Sequence, residues 1–186
     1  MNESQEAALV RRCQVGDQEA FGMLVEHYRS VLFGTAFLMI RDRGLAEDTV
    51  QEALTQMWRH LPSLRLHGSF KAWLIRIVSN EAKQQFRKKR VPTVPLEQTA
   101  EGGENLDPAE TNIVHNEDRQ HMRQALEMLP SAQKEAVVLR YFSDLSIPEI
   151  AAVTGQREGT IKSRLSRALG RLGEVLRSDG SWEEWR

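Results

Sequence analysis

The stretch covering residues 129–176 constrains the fold of this chain more than any other segment. Ser146 and Glu149 have the spacing of a helix capping box, and Pro148 stands near the helix start, where a missing backbone N–H costs little. Gly155 follows a short apolar segment and can adopt the left-handed conformation that turns the chain into a second helix. This pattern predicts a helix-turn-helix, whose second helix enters the major groove of DNA.

The second predicted helix separates apolar from basic side chains. Apolar residues at three- and four-residue spacing predict the face packed on a core. They are Ile161, Leu165, Ala168, Leu169, Leu172 and Leu176. Between residues 156 and 177, six basic side chains stand against two acidic ones. Such side chains can bond base edges and phosphates. The predicted DNA contacts are Arg157, Thr160, Lys162, Ser163, Arg164, Arg167 and Arg171. The alternative, a solvated basic helix, is disfavoured by the upstream capping box and turn.

The formal net charge of −1 hides an uneven distribution along the 186 residues. Residues 1–92 hold 14 basic and 10 acidic side chains, residues 93–119 hold 1 and 7, and residues 120–186 hold 10 and 9. Prolines, adjacent glycines and acidic residues concentrate in the middle segment, which is typical of a flexible tether. We therefore expect an all-α fold of two small helical domains, 1–91 and 117–178, joined by an acidic linker, 92–116, and followed by a tail, 179–186.

The cysteine content and the N-terminus bear on the cellular compartment. The single cysteine, Cys13, excludes an internal disulfide and fits a reducing cytosol. The first residues lack a signal-peptide pattern, and the longest apolar run, residues 31–40, is too short to span a bilayer. We expect a cytoplasmic protein.

The helix predicted over residues 45–61 carries an acidic and amide-rich outer face. This face comprises Glu47, Asp48, Gln51 and Glu52. Two explanations remain open at this point. The acids stabilise the helix dipole from the first turn, or the face docks on a partner protein.

A helix predicted over residues 70–90 has an apolar face for the core and a separate polar stripe. The stripe comprises Arg76, Asn80, Lys83 and Arg87. It could follow a phosphate backbone, with the Asn80 amide suited to reading a base. The basic end of this helix also complements the helix dipole, and the two roles are compatible.

The sequence shows no chemistry of an active site. It has neither a phosphate-binding glycine loop nor a nucleophile elbow, and its five histidines form no pattern of metal ligands. We therefore expect no enzyme activity, no cofactor and no metal.

Three segments together resemble the bacterial extracytoplasmic-function sigma factors. They are AEDTVQEALTQMWRHLPSL, FKAWLIRIVSNEAKQQFRKKR and LPSAQKEAVVLRYFSDLSIPEIAAVTGQREGTIKSRLSRAL. The resemblance implies a subunit, monomeric when free, that binds core RNA polymerase and directs it to promoters. It also implies control by an anti-sigma factor, often membrane-anchored, which is released under stress.

The resemblance implies roles for the candidate residues. The face containing Glu47 and Asp48 corresponds to the surface that docks on the polymerase clamp helices. The loop at residues 63–69, which includes Arg65 and His67, and the stripe on the next helix correspond to the part that opens the minus-ten element and captures an unstacked base. The helix-turn-helix corresponds to the reader of the minus-thirty-five duplex.

Arg157 departs from the family, which usually has a small N-capping residue there. Two other functions each leave part of the sequence unexplained. A self-sufficient helix-turn-helix regulator, usually dimeric, leaves the polar stripe on helix 70–90 unexplained. A protein adaptor using only its acidic helix leaves the recognition helix unexplained.

Overall fold

The computed structural model describes residues 1–64, 69–90 and 113–178. All regular structure in these ranges is helical, which confirms the predicted all-α fold class. The α-helices are α1 (Glu3–Gln14), α2 (Gln18–Ile40), α3 (Arg43–His60), α4 (Phe70–Arg90), α5 (Ile113–Glu127), α6 (Ser131–Val137), α7 (Ile147–Thr154) and α8 (Glu158–Ser178). None of the helices in the described ranges is both long enough and apolar enough to cross a membrane.

The first four helices pack around one apolar centre. Leu24, Leu32, Met57 and Phe70 are almost completely buried there, because α2, α3 and α4 each turn an apolar face inward. The chain breaks between α1 and α2 at Gly16, which has a φ of 89°. This packing fixes the outer faces of α3 and α4, which carry candidate functional side chains.

The start of α3 differs from the prediction by two residues. The helix begins at Arg43 instead of residue 45, because Arg41 ends α2 in the left-handed region (φ 61°) and Asp42 caps α3 directly. The Asp42 side chain accepts a hydrogen bond from the Leu45 backbone N–H at 3.0 Å. A carboxylate at this N-cap position satisfies a free donor of the first turn.

The second group of helices also begins earlier than expected. Helix α5 starts at Ile113, four residues before the predicted start at residue 117, so the end of the expected linker is helical. The sequence contains neither Pro nor Gly from residue 109 to 128, so no helix breaker delays the start.

The helix that follows Pro130 contains a wider turn. Helix α6 passes into a π-helical segment, Val138–Phe142, in which the Ser143 N–H donates to the Val138 carbonyl at 2.9 Å. The extra residue per turn rotates the end of the helix. Phe142 is thereby directed at α2, where its ring lies against Gly34.

Helices α7 and α8 form the predicted helix-turn-helix. The Ser146 N–H donates to Glu149 Oε2 at 2.8 Å, the Glu149 N–H donates back to Ser146 Oγ, and Gly155 turns the chain at a φ of 68°. Ile150 and Ile161 are fully buried between the two helices.

The predicted core face of α8 needs one correction. Leu169 is 46% exposed, whereas its neighbour Ala168 is fully buried. The spacing predicts both in the core, but only the small residue is covered by it.

The two groups of helices pack directly on each other. Helix α4 contacts α7, and α2 contacts α6 and the π-helical segment. We call α1–α4 the first half, α5–α8 the second half, and the contact between them the seam. At this seam, the hydroxyls of Thr35 and Ser143 are both buried and lie 2.9 Å apart. The arrangement of these two halves decides which candidate faces remain accessible.

Candidate nucleic-acid interface

The basic face of α8 is open to solvent. Lys162, Ser163 and Arg167 are exposed, and Thr160 and Arg164 are partly so. Arg167 lies along one turn of the helix, with Nε donating to the Ser163 carbonyl at 3.1 Å and Nη2 to Ser163 Oγ at 3.3 Å. A guanidinium fixed along the helix surface can present its remaining N–H groups to guanine or to a phosphate. Arg171, one turn further, is also exposed.

Arg157 occupies the position just before α8. Its carbonyl accepts from the N–H groups of Thr160 at 2.9 Å and Ile161 at 3.1 Å, so its backbone starts the helix although its side chain has no capping oxygen. The side chain is exposed at the helix N-terminus. The exposed position of Arg157 would allow its side chain to contact a DNA phosphate.

The polar stripe of α4 lies on one helix face, but its four members differ in accessibility. Arg76, Asn80 and Arg87 are exposed. Lys83 is only 37% exposed in its side chain, because its Nζ lies 3.1 Å from Glu135 Oε1 on α6. No local sequence pattern indicates this pair, since its members lie 52 positions apart. The structure thus places the candidate minus-ten stripe beside the helix-turn-helix half.

A groove runs between α4 and α6. Asn80, Lys83 and Arg87 line one wall, and Ser131 and Lys134 belong to the opposite wall. Burial lowers the pKa of Lys134, and the nearby Arg41 acts in the same direction, although Glu127 opposes it. The groove therefore combines polar groups of both halves.

The outer face of α3 is accessible. Glu47, Asp48, Gln51 and Glu52 are all exposed. Because α3 begins at Arg43, Glu47 and Asp48 fall in the second turn, where the dipole effect is weak. The predicted first-turn position of these acids was therefore wrong, and Glu47 pairs with Arg43 at 3.0 Å. The docking role of this face stays a prediction.

A buried carboxylate that the sequence analysis missed connects α3 to α4. Glu81 is 6% exposed, and its oxygens accept from the side-chain amides of Gln56 at 3.2 Å and Gln85 at 3.4 Å. The same Gln56 amide reaches Glu52 at 3.3 Å. This bridge holds the acidic face of α3 in a fixed position relative to α4. The sequence does place Glu81 among the apolar, inward-facing positions of α4, and this position could have indicated a buried carboxylate.

Two candidate residues, Arg65 and His67, lie outside the described residues. Within the described ranges, no cluster of His, Cys, Asp and Glu could hold a metal ion. Cys13 is buried among apolar side chains, and burial raises the pKa of its thiol. A thiol with a raised pKa is a poor nucleophile at neutral pH.

Comparison with known proteins gives a consistent result for both halves. Residues 24–91 match the family Sigma-70 region 2, and residues 119–172 match the family Sigma-70, region 4. The chain is 31% identical to RNA polymerase sigma-H factor of Pseudomonas aeruginosa over 95% of this chain and 96% of that protein. It is 28% identical to ECF RNA polymerase sigma factor SigK of Mycobacterium tuberculosis over 91% of this chain and 92% of that protein.

A solved structure with the same fold is that of the sigma factor RpoE from Bartonella quintana in complex with the anti-sigma factor NepR. The TM-score is 0.65 at 31% sequence identity, and the match covers 86% of this chain and 98% of that one.

Proposed function

Because the chain belongs to the extracytoplasmic-function family of sigma-70 RNA polymerase sigma factors, we propose that it binds core RNA polymerase and directs it to a specific set of promoters. The observation that carries this proposal is the separation of three polar surfaces on one chain. An acidic face lies on α3, a mixed basic and amide stripe on α4, and a basic face on α8. A regulator that only binds duplex DNA needs the third surface alone.

In this proposal, the exposed acids of α3 dock on the polymerase. Glu47, Asp48, Gln51 and Glu52 form the contact, and the Gln56–Glu81 bridge positions it. Charged faces of this kind steer association and set specificity, so a charge reversal should mainly slow binding.

The polar stripe of α4 and the basic face of α8 recognise different promoter elements. Arg76, Asn80, Lys83 and Arg87, with Arg65 and His67, contact the opened minus-ten strand. Removing a base from the stack costs a few kcal/mol, which stacking and polar contacts must offset. The side chains of α8 contact the minus-thirty-five duplex. Each bidentate hydrogen-bonded contact between an arginine and a base there discriminates against a wrong base by about 1–3 kcal/mol.

We further propose that an anti-sigma factor controls this chain and holds it, through a membrane anchor of its own, at the inner face of the membrane until a stress signal releases it. The structural relative in complex with NepR supports a partner of this class. Cys13 is the only cysteine and is buried, so an intramolecular disulfide switch in this chain is excluded. We therefore place the sensing of the signal in the partner.

The test is binding of the purified chain to core RNA polymerase, followed by run-off transcription from genomic fragments with and without it. Binding with new, specific transcripts supports the proposal and identifies promoters directly. Failure to bind core polymerase, together with tight binding of duplex DNA by a dimer, would instead support a conventional helix-turn-helix regulator.

A further inference from the structure

One side of α8 belongs neither to the packed core nor to the basic face. It carries Lys162, Ser166, Leu169, Gly173 and Arg177, and we call it the Leu169 face. At the angular step of an α-helix, these positions fall within about 80° of the helix circumference. Gly173 is half-buried and the other four residues are exposed, so this face is open to solvent in the described part of the chain.

The Leu169 face is separate from the side chains proposed to contact DNA. Leu169 and Arg167 are two positions apart, so they point about 160° away from each other around the helix axis. Arg167 is bonded to Ser163 on its own side of the helix. A segment bound at Leu169 would therefore leave the basic face of α8 accessible.

The chemistry of the Leu169 face suits an aromatic and acidic segment. A single exposed leucine is ordinary on a protein surface, but the 46% exposed Leu169 has unusual neighbours. One turn further, Gly173 leaves the backbone bare beside a guanidinium, since a Cβ on residue 173 would lie 3.7 Å from Arg177 Nη2. An indole ring placed here would contact leucine, bare backbone and a cation together.

The tail that follows α8 has this complementary composition. Its sequence, DGSWEEWR, contains two of the four tryptophans of the chain, and two glutamates stand between them. Because Trp182 and Trp185 are three positions apart, they share one side of either a helical turn or a polyproline II strand. Residues 179–186 lie outside the described residues, and the proposed function uses none of them.

The tail is long enough to fold back along the Leu169 face. Leu169 lies about 14 Å before Ser178 along the helix axis, and Lys162 lies about 24 Å before it. Eight extended residues span about 26 Å. Gly180 follows soon after the end of α8 and is the residue type that most readily reverses a chain there. The two tryptophans can therefore reach both Leu169 and Gly173.

We propose that residues 179–186 dock on the Leu169 face of their own chain. The two indole rings cover Leu169 and Gly173, and the carboxylates beside them meet the Arg177 guanidinium. Removal of large aromatic surface from water drives the contact. The docked tail braces the second half of α8, where glycine weakens the helix, and leaves its basic face free. The inference goes beyond the proposed function, because docking requires neither polymerase nor DNA.

The first experiment observes the tail tryptophans by fluorine NMR of the full chain labelled with fluorotryptophan. Single Trp-to-Phe substitutions assign the four resonances. The resonances of Trp182 and Trp185 should differ from those of a peptide of residues 178–186. Leu169→Glu should shift both to the peptide positions, while circular dichroism shows unchanged helix content. Met128→Glu makes the same kind of change at another exposed apolar residue and should shift neither. Peptide-like resonances already present in the wild type would overturn the proposal.

Dilution of the labelled wild type separates docking within one chain from docking between two copies. Resonance positions of the tail tryptophans that do not depend on protein concentration are expected for an intramolecular contact. A return of these resonances to the peptide positions on dilution would identify a second copy as the occupant and overturn the proposal.

The second experiment uses the bare backbone at Gly173 and does not depend on Leu169→Glu. Alanine is more favourable than glycine in a helix, so Gly173→Ala should raise Tm by about 2–4 °C in a chain that also carries Trp182→Ser and Trp185→Ser. With the native tail, the added methyl group displaces an indole ring, and this rise should be lost. Gly22→Ala on α2 should raise Tm equally with either tail, since no atom lies within 4 Å of its Cβ. An equal rise for Gly173→Ala with both tails would contradict the contact.

Discussion

Single side chains on the two basic faces have different surroundings. Arg167 is held along α8 by two hydrogen bonds to Ser163 and remains exposed. Asn80 is exposed on α4 but borders the seam groove. An accessible arginine on the recognition helix is suited to duplex readout, whereas an amide beside a partly covered lysine is suited to contact with an opened strand.

Arg167→Ala should weaken binding to promoter duplex about tenfold, because one bidentate contact of about 1–3 kcal/mol is lost. Asn80→Ala should leave duplex affinity unchanged and reduce promoter opening. Gel-shift titration measures the affinity for promoter duplex, and permanganate reactivity of the opened region measures promoter opening. Arg29→Ala, which removes an exposed arginine on α2, is the control for a general loss of charge. Equal loss of duplex affinity in both variants would contradict this division of roles.

Asp48→Lys should reduce affinity for core polymerase by roughly tenfold, mainly through slower association, because the acidic face of α3 would carry a reversed charge. Surface plasmon resonance against immobilised core polymerase measures both rate constants. Glu26→Lys makes the same change on an exposed position of α2 and should bind normally. Unaltered binding of Asp48→Lys would remove this face from the docking surface.

At the scale of elements, capping decides where the recognition helices begin and end. The box formed by Ser146 and Glu149 starts α7 against the core, and Gly155 ends it. Burial alone would raise the pKa of Glu149, but hydrogen bonds from Ser146 and Ser69 and the charge of Lys71 outweigh it, so the pKa lies below its usual range. The ionised carboxylate is therefore stabilised by folding.

Glu149→Gln should lower stability by about 1 kcal/mol at neutral pH. Because the folded-state pKa is depressed, the contribution of the native carboxylate is complete above its unfolded pKa, about pH 4, and is lost as the pH falls through the folded pKa. The melting temperatures of wild type and variant should therefore converge in acid. Thermal melts followed by circular dichroism between pH 3 and 7 would check this, with the exposed Ser166→Ala on α8 as the control. If the melting temperatures of wild type and variant differed by the same amount at every pH, the ionised carboxylate would not be the cause of the difference.

At the scale of the whole molecule, the seam makes the two halves one compact unit. It combines the Gly34–Phe142 contact, the buried hydroxyl pair and ion pairs of a single polarity. Partly exposed ion pairs contribute little net free energy each, so the buried contacts of the seam provide most of its stability.

Gly34→Ala should shift the chain toward an open arrangement, because the added Cβ would overlap the Phe142 ring and overpacking costs about 1–3 kcal/mol. Small-angle X-ray scattering should report a larger radius of gyration. Gly22→Ala makes the same substitution on α2 where no atom lies within 4 Å, and should leave the radius unchanged. Adding Phe142→Ala to Gly34→Ala should restore the compact form. If Gly34→Ala were as compact as Gly22→Ala, the contact would not maintain the seam.

The sequence determined the local structure, because helix periodicity, caps and glycine turns act over a few residues. It predicted α4 within the bounds observed, the capping box at Ser146 and the helix-turn-helix. It also predicted which residues share a face, since a helix repeats every 3.6 positions. These faces include the accessible basic surface of α8.

Only the tertiary structure decided which of those faces are covered. Lys83 is paired with Glu135, and Gly34 is needed for Phe142 more than a hundred positions away. Leu169 is likewise exposed although its spacing on α8 places it with buried residues. Local patterns contain no information on such distant partners. Whether a basic stripe is free or occupied is settled by the way the two halves pack.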